Sequence, residues 1–190
     1  VFAGPKEDKE KALEIVRATM EKFPDNQEFP KYEISLLNDL NRLDEAKVRL
    51  EEAVKRDPSN KVYQFFLGYI NSGMEKWDEA KVNFETALKL DPNYFDPQYY
   101  LAQVYLIVAN KISQELRGLG MSAADKKKQA QLDKLLVEKY KIALPYWEKA
   151  ERLKGDDVDV LDRLRTIYYY LGDDKNEKRI IAKQKQLGYE

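Results

Sequence analysis

Three stretches carry the residue types that chemistry uses. The densest acidic cluster is Gly155-Asp156-Asp157-Val158-Asp159 with Asp162. Such oxygen donors suit a hard cation, yet the stretch lacks the alternating ligands, central Gly and distal Glu of an EF-hand loop. Its plainer reading is a turn followed by acids in a first helical turn, where the helix dipole favours them. Gly118-Leu119-Gly120 precedes a helical pattern, as phosphate-binding loops do, but no strand comes before it and GxxxxGK is not matched. Asp173-Asp174 reads as a turn and cap. The chain has no His and no Cys. The commonest general base, the commonest metal ligand and the thiolate are therefore missing, which excludes Ser-His-Asp and Cys-His catalysis and most zinc chemistry. Paired carboxylates hydrolyse glycosides without His, but 34 acidic residues and no strand-built cleft single out no pair. The expectation is a protein that is not an enzyme and has no metal and no cofactor.

Bulk properties narrow the partners. The 33 basic and 34 acidic residues leave a formal charge of −1, so no general attraction to nucleic acid or anionic membrane is expected. No run approaches the roughly 18 apolar residues of a membrane span, and the start, Val1-Phe2-Ala3-Gly4-Pro5, lacks the regions of a signal peptide. With 43% hydrophobic residues, 13 Tyr, 7 Phe and 2 Trp among 190 residues, there is material for a core.

The elements that position these residues recur. Pro24, Pro58 and Pro92 are spaced by 34 residues, as are Ala12, Ala46 and Ala80, and Val16, Leu50 and Phe84. RLDEAKVRLEEAVKRDPSN from residue 42 matches KWDEAKVNFETALKLDPNY from residue 76 at ten of 19 positions. Ala46, Leu50, Ala53 and Val54 fall at i, i+4, i+7 and i+8, an amphipathic helical stripe. Asp57-Pro58 and Asp91-Pro92 end such helices, because a proline disfavours helical geometry in the residue before it. The next helix spans about Val62 to Ser72, Asn71-Ser72-Gly73 makes the turn, and Ala80 is expected opposite Gly68 where two antiparallel helices approach closely.

Leu67-Gly68, Trp77, Ala80, Phe84, Ala87, Leu88 and Pro92 resemble the tetratricopeptide repeat (TPR) pattern. The resemblance, of a bacterial type, implies an all-α fold: a right-handed α-solenoid, or superhelix, of helical hairpins. A hairpin cannot bury its apolar face alone, so neighbours stack. One array over 1–190 is expected. Residues 6–26 are a partial first repeat with only its second helix, 27–60 and 61–94 are full repeats, 95–157 is a lengthened one, and 158–190 is a divergent cap. Glu33-Ile34 stands where Leu-Gly is usual, and Glu177 where Ala is usual. The resemblance leaves cytoplasm and cell envelope both open as locations.

The fourth repeat opens with Leu101-Ala102 and Tyr105, but its second helix resumes only at Ala143, Trp147 and Ala150. An insertion over 111–139 is expected to extend both helices as a hairpin projecting about 20 Å at 1.5 Å per residue. Its tip is Gly118-Leu119-Gly120, Ser122 and Asp125 form a helix cap, and Ile112, Leu116, Leu132, Leu135 and Leu136 zip the arms. Pro145 predicts a kink near Lys141.

What the resemblance implies for function is a concave groove lined by the first helices and taking a peptide or partner helix. Its rows are Lys31, Phe65, Tyr99 and Asp162, then Ser35, Tyr69, Gln103 and Thr166, with Val62 at a helix entrance and Arg163 at one end. Aromatic walls offer large contact area at low entropy cost. The carboxylate clamp that holds chaperone tails in some TPR proteins needs Lys, Asn, Asn, Lys and Arg. One register here gives Lys31, Ser35, Phe66, Asp96 and Tyr100, and the next gives Phe65, Tyr69, Tyr100, Asp159 and Arg163. One residue fits in each, so chaperone-tail capture is not expected. The primary expectation is a protein-binding scaffold. Two alternatives stand beside it: self-association into a homo-oligomer through the hairpin or the open first repeat, and a regulatory fragment of a larger enzyme.

Overall fold

The computed structural model describes residues 5–23, 26 and 28–189. Nine α-helices and no strands are found among them: α1 (Lys6–Lys22), α2 (Phe29–Asp39), α3 (Leu43–Arg56), α4 (Lys61–Gly73), α5 (Trp77–Leu90), α6 (Phe95–Arg117), α7 (Ala123–Leu153), α8 (Val158–Leu171) and α9 (Asp174–Gln186). They form two compact units, Val1–Pro92 and Asn93–Glu190. In the first, α1 packs on α2, α2 on α3, α3 on α4 and α4 on α5; in the second, α6 packs on α7, α7 on α8 and α8 on α9.

Local geometry repeats with the sequence period. The turns after α2, α4 and α8 each place one residue at positive φ: Asn41 and Glu75 at 58° and Gly172 at 68°. Each is followed by the same long backbone bond, Arg42 N–H to Leu37 (2.7 Å), Lys76 N–H to Asn71 (2.8 Å) and Asp173 N–H to Tyr168 (3.0 Å). This is the Schellman motif, which satisfies carbonyls orphaned at a helix end. The turn expected at Asn71-Ser72-Gly73 therefore lies two residues further on, since α4 runs through Gly73. The other junctions match too. Phe23, Asp57, Asp91 and Lys154 share one extended cap conformation, with ψ of 68°, 83°, 98° and 84°. Prolines follow Asp57 and Asp91, but Gly155 follows Lys154, so this geometry does not require a proline. Pro24 itself lies outside the described residues.

Small residues set how close the helices come. Ala46, Ala80, Ala87, Ala102, Ala143 and Ala150 are all buried. Gly68 makes room for Phe84 rather than for Ala80: a Cβ there would sit 2.7 Å from two carbons of the Phe84 ring. Phe84 is fully buried and cannot swing aside.

Glu33, in the slot usually held by Leu, is buried, and charge replaces apolar packing around it. Its Oε1 accepts from Arg17 of α1 and Arg49 of α3, both at 2.8 Å. Arg17 also reaches Glu45, and Arg42 joins Glu45 to Glu10. The network ties α1, α2 and the start of α3 together. Burial works against the charged form of Glu45, yet hydrogen bonds from Arg17 and Arg42 outweigh it and hold its carboxyl below the usual range. One period on from Arg49, Asn83 does the same for polar residues of α4. It donates to Gln64 at 3.2 Å and accepts from Asn71 at 3.0 Å.

In the second unit the core joins Leu106, Ala109 and Ile112 of α6 to Leu136, Tyr140, Ala143, Trp147 and Ala150 of α7 and Val160, Leu161, Leu164, Ile167 and Tyr168 of α8. Ser122 caps α7 in a capping box with Asp125, and Lys128 pairs with Glu115 across the two arms at 2.7 Å. Leu136 faces inward with Ile112, while Leu135, one residue round the helix, is exposed. α7 is unbroken through Pro145. At the end of the chain, Arg165 and Glu177 occupy the slots held by Gly68 and Ala80, and Gln184 occupies that of Ala87.

Two outcomes test this packing. Gly68→Val is expected to destabilise the protein by about 1–3 kcal/mol through overpacking against Phe84, read as a lower urea midpoint with unchanged slope. Combining it with Phe84→Leu should recover part of the loss. Separately, hydrogen bonds from Arg179 and Lys183 hold the Glu151 carboxyl below its ordinary range despite its burial. A depressed carboxylate stabilises fully above its unfolded value of about 4.3 and loses that contribution as pH falls through the folded value. The stability gap between the unaltered protein and Glu151→Gln, followed by thermal melts, should be widest near neutral pH and close in acid.

Candidate functional site

Of the ten residues expected along a groove, five fall in the first unit and five in the second. In the first unit, Lys31 on α2 is exposed and pairs with Glu28 at 2.9 Å, and Ser35 is half-buried. Val62 and Phe65 were expected at a groove wall and are buried instead. Phe65 is 5% exposed because its ring packs on Phe66, Tyr69 and Phe84 at centroid distances of 5.0, 6.4 and 6.1 Å. Tyr69, at 36% exposed, is the aromatic surface that α4 offers.

The second unit gathers more. On α6, Tyr99, Gln103 and Ser113 lie at i, i+4 and i+14 on one stripe. On α8, Asp159, Arg163, Thr166 and Tyr170 lie at i, i+4, i+7 and i+11 on another. Tyr99 is half-buried, with its ring edge-on to Tyr100 and Trp147 and 5.8 Å from Phe95. Burial pushes its phenol up, Asp159 and Asp157 add to that, and a hydrogen bond with Gln103 and the charge of Arg163 pull the other way. Tyr140 of α7 is also raised, first by burial and then by Tyr170, while Ser113 and Arg163 oppose the shift. Arg163 therefore stands within electrostatic reach of both phenols. Tyr140 lies against Tyr170 at 5.2 Å, and Tyr170 meets Tyr169 edge-on at 5.4 Å. Tyr169 is 66% exposed. The result is a tyrosine-rich face carrying a guanidinium, able to stack, to hydrogen-bond and to attract a negative group.

Asp162 was expected with Tyr99 and Gln103 but bonds to α9. Asp162 accepts from Gln184 at 2.6 Å, and Thr166 bonds to the Asp162 carbonyl at 2.9 Å. With Arg165, Tyr169 and Glu177 they line an open hollow of about 530 Å³. A separate cleft of about 470 Å³ in the first unit is lined by Met20, Glu33, Ile34, Arg49, Leu50 and Tyr63, among others. Tyr140, Tyr170 and Ser113 were not singled out from the sequence. Extending the α7 stripe backward from Trp147 and Ala143 by helical spacing reaches Tyr140 and Leu136, which is the signal that finds Tyr140.

The acidic cluster is a cap. Asp157 accepts from Val160 N–H at 3.2 Å and from Lys154 at 2.8 Å, opening α8. Among the described residues no group of acids is arranged to hold a metal ion, and no helix is long and apolar enough to cross a membrane.

No family model and no curated protein matches the sequence. Among solved structures, MamA superposes with a TM-score of 0.62 at 16% identity, covering 96% of this chain and 84% of MamA. A second MamA structure gives 0.60 at 18%, covering 95% and 91%. The chain has a TPR-like helical fold. Human IFIT1, solved as a dimer with m7Gppp-AAAA, matches at 0.62 and 16% over 90% of this chain. This chain spans about a third of IFIT1, 35% of its length.

Removing the guanidinium tests the tyrosine face. A cation favours phenolate, so Arg163→Ala should shift the alkaline titration of both Tyr99 and Tyr140 upward, observed through their ring resonances. Unmoved titrations would take Arg163 off this face.

Proposed function

We propose that the protein is a non-catalytic interaction module that holds a peptide or a partner helix on its first helices, foremost on α6 and α8 of the second unit. The observation that supports this reading is the tyrosine-rich part of the second unit, where Tyr170 packs on Tyr140 and Tyr169, and Arg163 lies within electrostatic reach of Tyr99 and Tyr140. Monomeric domains seldom expose a contiguous aromatic patch without a partner for it. Tyr69, Lys31 and Ser35 offer a smaller surface of the same kind on the first unit. Tyr side chains give contact area with two rotatable angles and a directional hydroxyl, which suits interface anchors. The TPR-like fold agrees with a scaffold, and the lack of His and Cys agrees with binding rather than catalysis. The array boundaries at residues 27, 61, 95 and 158, with the lengthened hairpin over 111–139, are part of the same reading.

Self-association is a second reading, favoured by the long arms of α6 and α7 and by Met121, 85% exposed at their tip. Affinity capture followed by quantification of the bound partner separates the two. Tyr99→Ala with Tyr170→Ala should lower capture at least about tenfold, as expected when anchor residues are truncated, with the helical circular dichroism unchanged. Full capture by that variant would overturn the face. A concentration-dependent mass in light scattering, abolished by deleting 112–138, would assign the arms to a second copy instead.

A further inference from the structure

One tyrosine pair of the second unit has a geometry that permits a covalent step. Tyr105 of α6 and Tyr146 of α7 stack with ring centroids 4.0 Å apart and planes 20° from parallel. The Tyr146 hydroxyl donates to the Tyr105 hydroxyl at 2.9 Å. Because the oxygens are closer than the centroids, the two rings point the same way and converge toward their hydroxyl ends. The ring carbons beside the two oxygens therefore face each other in contact. A second bond holds the helices in this register. Gln98, at i−7 from Tyr105 on the same stripe of α6, is buried and donates to the Tyr146 carbonyl at 2.9 Å. Both rings are half-buried, so their edges stay within reach of solvent. By contrast, Tyr99 meets Tyr100 edge-on at 5.5 Å, Tyr169 meets Tyr170 edge-on at 5.4 Å, and Tyr140 is 5.2 Å from Tyr170. Tyr105 lies on the opposite side of α6 from Gln103, away from the tyrosine face.

We propose that Tyr105 and Tyr146 form an oxidative modification site, which a peroxidase-class oxidant with hydrogen peroxide couples into an intrachain dityrosine. Each phenol gives up one electron and its hydroxyl proton. Tyr105 is the better placed to go first, because its phenoxyl oxygen keeps the hydrogen bond donated by Tyr146. Once Tyr146 is oxidised too, a carbon–carbon bond forms between the ring positions beside the two oxygens. The hydrogens on those carbons move to the oxygens, which restores both aromatic rings and both hydroxyls. Hydrogen peroxide takes up the two electrons and two protons and leaves as two waters. Holding the rings in contact replaces a chance encounter between radicals with a pre-arranged one, so this pair couples ahead of exposed tyrosines on separate molecules. The product ties α6 to α7 at the base of the long arms, across 41 residues of chain. A covalent tie over a loop of that size removes freedom from the unfolded chain and so favours the folded one. The inference stands apart from the interaction-module reading, since it uses neither Tyr99 nor Tyr170.

The test treats the dilute full chain with a haem peroxidase and hydrogen peroxide, separates monomer from cross-linked dimer, and maps the monomer by peptide mass spectrometry. The expected monomer shows dityrosine fluorescence and a cross-linked peptide pair containing Tyr105 and Tyr146, lighter than the two peptides by two hydrogens. It should also melt at a higher temperature than the untreated protein, with the same helical circular dichroism. Tyr146→Phe keeps a ring in the stack but has no hydroxyl to oxidise, so it should abolish the monomer's fluorescence and its gain in melting temperature. Should Tyr146→Phe disturb α7, Tyr105→Phe serves instead. Tyr169→Phe with Tyr170→Phe should leave the intrachain product unchanged. Absence of coupling, dityrosine confined to dimers or to other tyrosine pairs, or a monomer product that survives both Tyr105→Phe and Tyr146→Phe would overturn the proposal.

Discussion

Everything in this molecule depends on how closely two antiparallel helices can approach. Where the first helix carries Gly68 or Ala102 and the second carries Ala80 or Ala143, the backbones draw together and large side chains one turn away lock between them. Phe84 and Trp147 are those locks, both fully buried. Dispersion contacts are individually small, and only such close approach multiplies them enough to offset the ordering of the chain. A hairpin built this way still leaves one flank uncovered, and stacking follows from that deficit rather than from any special linker.

The same constraint accounts for where polar groups are allowed inside. Glu33 and the amides of Gln64 and Asn71 sit at buried positions of first helices. Each is answered from one recurring slot on the second helix, Arg49 in one hairpin and Asn83 in the next. Buried polar groups cost little when satisfied and a great deal when orphaned, so the answering residue is fixed once the first is chosen. At the end of the chain the pattern changes character. Arg165, Glu177 and Gln184 replace the small residues, and beside the buried Ile180 the last hairpin is held by hydrogen bonds and by the clamp of Glu151 on Arg179 and Lys183.

Much of this was legible in the order of residues. The 34-residue spacing of prolines and alanines located the hairpins, and Ser122 with Asp125 announced the start of α7. Three things were not legible, each for a physical reason. The turn after α4 slid past Gly73 because the Schellman motif needs positive φ at the residue after the cap, and Glu75, following Met74, takes it. Phe65 fell inward because its neighbours Phe66, Tyr69 and Phe84 are all aromatic and close around it, which slot-by-slot transfer does not register. The face near Arg163 draws Tyr140 from α7, where the 34-residue spacing does not lead, and Asp162 left it for Gln184, a partner visible only in three dimensions.

The carboxylate of Glu33 has a consequence for how this sequence can change over generations. Replacing it with the usual Leu would take from Arg17 one of its two carboxylates and from Arg49 its acceptor, while altering Arg17 or Arg49 first would leave the buried anion with one cation fewer. A change at one member alters what the others contribute, because members of one ionic cluster do not act independently. The three positions are thereby bound into joint inheritance, and lineages that keep the acid should keep both of its basic companions.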